Sequence, residues 1–151
     1  MEKKYKITEE TINVYGITLH RIEALKDFAN IKKGEKGGFI EKESNLSQNG
    51  DCWVYDNAKV YEDAEVFGNA EIRGDAEIAS NSDYIVFKNW WSSGRYFTWT
   101  RSNNMWRVGC FYGTGKELIE KAYKDSKLSG REYERVVKYV ESILKDNNTD
   151  V

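Results

Sequence analysis

The chain has 151 residues, 23 Lys or Arg against 25 Asp or Glu, and a formal net charge of −2. That balance excludes a basic, nonspecific nucleic-acid binder, while 40% hydrophobic and 14% aromatic content is ample for a folded core in one domain or two small ones. No run approaches about eighteen apolar residues, no apolar segment follows Met1-Glu-Lys-Lys-Tyr-Lys, and two cysteines make no disulfide framework, so a cytoplasmic protein with neither membrane span nor secretion signal is expected.

In chain order, residues 1–36 read as a hairpin cap. Ile12 and Val14 alternate before Gly16, and Ile17 and Leu19 after it, which predicts a β-hairpin turning at Tyr15-Gly16. Its place is against the first turn of the repeat in residues 37–82, where it closes an open sheet edge. The stretch after the hairpin holds Gly34, Gly37 and Gly38 among lysines. It lacks both the Gly-Lys-Ser/Thr ending and the strand-loop-helix context of a phosphate loop, so a plain turn is the reading favoured here.

Residues 37–82 are organised by a repeat of six. One column is always Asp or Asn (Asp51, Asn57, Asp63, Asn69, Asp75). The next is small (Cys52, Ala58, Ala64, Ala70, Ala76), and two further on it is β-branched (Val54, Val60, Val66, Ile72, Ile78). Residues two apart in a strand share a face, so both apolar columns point inward and Trp53, Lys59, Glu65, Glu71 and Glu77 point out. The Asx column and the Gly, Glu or Asp before it suit bends. Three strands and three bends make a triangular turn, with residues eighteen apart stacked. Ile40 and Leu46 continue the spacing backwards only loosely. A stack this short needs capped ends, self-association, or both.

Residues 83–151 differ in composition. Four of the five tryptophans fall in 84–113, and the punctuation predicts three or four antiparallel strands near 84–90, 95–101 and 105–111, with turns at Ser92-Ser93-Gly94 and Ser102-Asn103-Asn104. Capping boxes at Thr114…Glu117 and Ser129…Glu132 predict two helices, the second with an apolar stripe that packs on the aromatic sheet. The tail from Lys145 reads as frayed.

No catalytic or metal-binding constellation is legible, and no cofactor is expected. The single histidine, His20, lies in the hairpin, and Glu65, Glu71 and Glu77 face different sides of the triangle. Binding is better supported. Trp90, Trp91, Arg95, Tyr96, Trp99, Arg101, Trp106 and Arg107 interleave aromatic faces with guanidinium groups, an inventory that suits a nucleotide or a protein partner. Arg95, Arg101 and Arg107 recur every six residues, which places them on one strand face if the strands are continuous. The competing reading puts about half of these aromatics in the core under the helices.

The pairs Val54/Ala58, Val60/Ala64, Val66/Ala70 and Ile72/Ala76 resemble the motif of the hexapeptide-repeat, left-handed parallel β-helix family. The resemblance implies a mainly β fold: a short β-helix capped by the hairpin and followed by a small α+β module with C-terminal helices. It also implies a homotrimer. Gly16-Ile-Thr-Leu-His-Arg-Ile-Glu-Ala-Leu25, Gly37-Gly-Phe-Ile-Glu41, the Asn-Ala repeats and Val108-Gly-Cys-Phe-Tyr-Gly-Thr114 resemble prophage members of that group, which carry no catalytic motif to transfer. The implied protein is not an enzyme and antagonises host antiviral defence, with a nucleotide second messenger or a host defence protein as partner. The alternatives are an acyltransferase-like enzyme using His20 and a structural trimer module of a phage particle.

Overall fold

A computed structural model describes residues 2–149. The fold is mostly β, with two helices at its C-terminal end. Strands β1 (Tyr5–Val14) and β2 (Ile17–Ala24) form the expected antiparallel hairpin. Tyr15 and Gly16 both take positive φ, 53° and 84°, the two-residue turn whose twist matches its strands. Strand β2 then pairs antiparallel with β3 (Lys36–Ile40), which sets His20 opposite Ile40.

Four two-residue strands come next: β4 (Trp53–Val54), β5 (Lys59–Val60), β6 (Glu71–Ile72) and β7 (Glu77–Ile78). The chain passes through three parallel ladders in turn. One pairs β3 with β5 and β5 with β7, one is the bridge from Leu46 to Val66, and one pairs β4 with β6. Val54 and Val60 lie eighteen residues before their partners Ile72 and Ile78, whereas Ile40 and Leu46 lie twenty before Val60 and Val66. Two extra residues between Leu46 and Val54 account for the difference. Ile40 and Leu46 therefore occupy true repeat slots, which the loose spacing had hidden.

Both inward columns are at most 1% exposed from Cys52 to Ile78. The residue before each Asx position (Gly50, Asp56, Glu62, Gly68 and Gly74) has φ between 56° and 74°. A side chain there costs about 1–2 kcal/mol, and Asp56 offsets this by accepting the Gly74 N–H at 3.0 Å. Gly37 and Gly38 are buried in β3. A Cβ on either would stand 2.5 Å from a carbonyl oxygen, of Val54 or Ala58 respectively. These glycines let backbones approach.

A stack of parallel turns leaves unpaired backbone groups at both ends, and here side chains meet them. At the upper end, the N–H groups of Glu65, Glu71 and Glu77 donate to Asn81 Oδ1 (2.9 Å), Thr98 Oγ1 (3.1 Å) and Ser102 Oγ (2.7 Å). The Tyr84 hydroxyl donates to the Glu65 carbonyl at 2.7 Å. At the lower end, Lys4 Nζ donates to the carbonyls of Gly50 (3.2 Å) and Cys52 (2.7 Å), and the Tyr5 hydroxyl to that of Leu46 (2.6 Å). Lys4 is only 1% exposed. Burial pulls its ammonium below the ordinary value and pushes the neighbouring Cys52 thiol up.

Strands β8 (Tyr84–Lys88), β9 (Tyr96–Thr100), β10 (Met105–Val108) and β11 (Phe111–Gly113) form an antiparallel sheet in the order β11-β10-β9-β8. The strand expected over 105–111 is broken by a turn where Gly109 takes φ 55°. Helix α1 (Gly115–Asp125) begins at the predicted box, with the Glu117 N–H on Thr114 Oγ1 at 3.2 Å. Helix α2 (Lys127–Thr149) starts before Ser129, because Ser126 Oγ accepts the Ser129 N–H at 3.0 Å and takes the capping role expected of Ser129. A Cβ on Gly130 would overlap the Tyr123 ring, so this glycine sets how closely the helices pack. The tail is helical as far as Thr149, not frayed from Lys145, and Asp150 and Val151 lie outside the described residues. Phe97, Trp99 and Trp106 of the sheet pack against Leu118, Ala122, Val137 and Val140 of the helices. Among the described residues no helix is long and apolar enough to cross a membrane.

The end groups can be tested one at a time. Thr98 is 1% exposed, so Thr98→Val keeps the shape but strands the Glu71 N–H, at a cost of about 1–3 kcal/mol in urea unfolding. Ser102→Ala costs less than about 1 kcal/mol, because its bond is exposed and water replaces the hydroxyl; equal losses for the two variants would contradict closure of the upper end by side chains.

Burial pushes the Tyr84 phenol up to about 12, against about 10 in an unfolded chain. A raised native value means that this contribution is complete below about pH 10 and is lost as pH rises from about 10 to about 12. Melting temperature should fall across that window, and Tyr84→Phe should be less stable at about pH 8 but flatter in its alkaline dependence.

Candidate functional site

The structure separates the eight residues that the sequence grouped. Trp99 and Trp106 are each 1% exposed and belong to the core, as the competing reading of the aromatics required. The Trp99 indole donates to Asn104 Oδ1 at 2.8 Å. Trp91 is half-buried, edge-on to Tyr133, with its indole N–H on Ser129 Oγ at 3.2 Å. Trp90 is 71% exposed beside it. The three arginines do not lie along one strand: Arg95 and Arg101 flank β9, and the turn after it reverses the chain before Arg107. Arg95 precedes β9, the Arg101 N–H caps the Asp83 carbonyl at 2.8 Å, and Arg107 lies in β10 with only 11% of its side chain exposed.

Arg107 instead joins the sheet to the stack. Its guanidinium lies 3.5 Å from Glu71 Oε1 and 5.9 Å from the Tyr55 ring. Arg73 covers the same ring at 4.2 Å and stands 3.6 Å from Asp56. The Tyr55 hydroxyl donates to Glu71 at 3.2 Å, and burial raises the phenol above its ordinary value, with the Glu71 carboxylate adding to the effect. Two guanidinium groups are thus matched by two carboxylates, so this junction holds no surplus positive charge for an anion. Sequence reasoning missed it because Tyr55 and Arg73 sit at repeat positions that vary in type.

What remains open to solvent is a groove between the upper end of the stack and the sheet. One part, about 550 Å³, is lined by Phe67 and Asn69 of the repeat, Asn81, Tyr84 and Val86 of the segment that follows, and Tyr96 of β9. Phe67 is 59% and Tyr96 43% exposed, although both are large aromatics. The second part, about 300 Å³, shares Asn69 and Tyr96 and adds Tyr55, Glu71 and Arg95. Of the eight predicted residues, Arg95 and Tyr96 therefore meet in the groove, while Phe67 and the asparagines come from the repeat. Phe67 gave no signal of its own in the sequence, since Tyr55 and Tyr61 put large rings at the same repeat position; only its exposure, where those two are buried, sets it apart.

His20 lies on β2 beside Thr11 and Ile40 and lines neither part of this groove. Among the described residues, no three His, Cys, Asp or Glu side chains form a group that could hold a metal ion.

No protein-family description matches the chain. It is 34% identical, over 62 residues, to a protein described as the uncharacterized acetyltransferase YdcK of Escherichia coli (strain K12). The match covers 36% of this chain and 19% of that protein, so the chain spans about a fifth of the relative's length. This finding corrects the expectation that the protein is not an enzyme: the similarity leans towards enzymatic kinship, though a match of this extent does not by itself show catalysis.

Proposed function

We propose that residues 37–82 form a short left-handed parallel β-helix of the hexapeptide-repeat type, between a hairpin cap (residues 1–36) and an α+β module (residues 83–151). The groove above it binds a nucleotide-bearing ligand. The observation that carries this reading is the pair Phe67 and Tyr96, two exposed aromatic rings lining one cavity with two asparagine amides. Aromatic faces hold a base by stacking, worth about 1–3 kcal/mol each, and amides can pair with its polar edge. Arg95 lines the adjoining part of the groove with its guanidinium resting against Gly109, from where it can turn to offer a fork to a phosphate.

Two ligand sources share this chemistry. The acetyltransferase match points to an acyl donor built on a nucleotide, such as acetyl-coenzyme A. The prophage resemblance points to a nucleotide signal of host defence, removed by binding. No base for acyl transfer is assigned, because His20 lies outside the groove. Homotrimeric assembly is part of the proposal.

Native mass spectrometry tests it with acetyl-coenzyme A, ATP and a cyclic dinucleotide as separate probes. One ligand per chain is expected for at least one probe, with affinity at least about tenfold weaker in Tyr96→Ala and in Arg95→Gln. Gain of acetyl-coenzyme A supports the acyl-donor source and gain of the cyclic dinucleotide alone the signal source. No gain of any probe at about 1 mM, or undiminished binding in the double variant, would overturn the groove assignment. The same spectra read the number of chains in the assembly.

A further inference from the structure

A second cavity, of about 350 Å³, lies on the far module between the start of α1 and the second half of α2. Its floor includes Trp106, which is 1% exposed. The rings of Trp99 and Trp106 are both core, but their N–H groups differ. That of Trp99 is held by Asn104, whereas no hydrogen bond from Trp106 Nε1 occurs among the described residues. The nitrogen faces Gly115, 3.3 Å from where a Cβ on that residue would stand, and both residues line the cavity. An indole N–H that has no protein acceptor and opens on a cavity is free to donate to a group bound there.

The first turn of α1 adds donors at the same place. Thr114 Oγ1 takes the N–H of Glu117, but no acceptor within the described residues takes that of Gly115 or Lys116. These groups carry the positive end of the helix dipole. The exposed Lys116 ammonium stands at the rim, and so do the carboxylates of Glu120 and Glu141. Ile119, Val137 and Val140 form the apolar wall. Donors at the helix start would take a carboxylate, the two acids an ammonium, and the wall an aliphatic chain.

We infer that this cavity binds a small zwitterion, a free α-amino acid with an aliphatic side chain, whose carboxylate accepts from Trp106 Nε1 and the first N–H groups of α1 and whose ammonium faces Glu120 and Glu141. A Cβ on Gly115 would lie 2.7 Å from Val137 Cγ1, so glycine at the start of α1 lets the two helices pack closely beside the cavity. The site is independent of the groove on the stack and stands or falls separately from it.

The test is proton–nitrogen NMR of the full chain, with the Trp106 indole resonance assigned through Trp106→Phe. Three probes share one carbon skeleton: L-leucine, 4-methylpentanoate, which lacks the ammonium, and 3-methylbutylamine, which lacks the carboxylate. L-Leucine should shift the Trp106 indole and the Gly115 amide, and each single-pole probe should bind at least about tenfold more weakly. Glu120→Gln with Glu141→Gln, two surface changes that keep the fold intact, should weaken leucine about tenfold and leave 4-methylpentanoate unchanged. No shift of the Trp106 indole by L-leucine at about 20 mM, or equal shifts by all three probes, would overturn the inference.

Discussion

The structure depends on how the two ends of a short parallel stack are closed. In the middle of such a stack each turn pairs its backbone with the turns above and below, as Trp53 N–H does with the Ala70 carbonyl at 3.2 Å and Lys59 N–H with that of Ala76 at 2.9 Å. With only two circuits from Ile40 to Ile78, a large share of the backbone lies at an end. An unmet buried amide or carbonyl costs about 1–3 kcal/mol, a large fraction of the roughly 5–15 kcal/mol that separates folded from unfolded chains. Lys4 and Tyr5 close the bottom with donors, because carbonyls point down there. At the top, Asn81, Thr98 and Ser102 accept from upward amides, and the Tyr84 hydroxyl donates to the upward Glu65 carbonyl. The hairpin and the aromatic sheet are thus structural necessities for the stack, whatever else they do.

That requirement also shapes where ligands can go. To bring Thr98 and Ser102 over the stack, β9 and the turn after it must sit across its upper end, and this packing leaves a groove on one side, where Phe67 and Tyr96 remain uncovered. Beside that groove it seals Arg107 against Glu71 near the Tyr55 ring, and so removes from solvent one of the arginines that looked available for binding. The sheet's inner face carries Phe97, Trp99 and Trp106 under the helices, which takes two tryptophans out of the surface. Only the edges of these core rings, such as the Trp106 N–H, reach a cavity.

Much of the fold was legible because the relevant physics is local and periodic. The inward columns, the hairpin turn at Tyr15-Gly16 and the Thr114 cap each depend on residues within a few positions. The bend positions were legible too, since Gly50, Gly68 and Gly74 sit at the left-handed corners that Asp56 and Glu62 share. What was not legible is long-range. The six-residue recurrence of Arg95, Arg101 and Arg107 does not run along one strand, because the turn after β9 falls between Arg101 and Arg107. The slot held by Leu46 was hidden by a two-residue insertion, and the start of α2 by Ser126 capping through a serine partner in place of a glutamate. The groove joins Phe67 and Asn69 of the repeat with Tyr96 of the sheet, a meeting that depends on docking between segments and leaves no spacing in the sequence.

The most direct test of end closure is amide hydrogen exchange of the intact protein at Glu71, the outward repeat position whose N–H has no partner within the stack and only the Thr98 hydroxyl above it. If side chains of the sheet close the upper end, the Glu71 amide exchanges about as slowly as that of Ile72 in the ladder below, opening only with the stack itself. Exchange of Glu71 at the rate of an exposed turn amide, with Ile72 still protected, would show that the upper end stands open and that the sheet does not complete the stack.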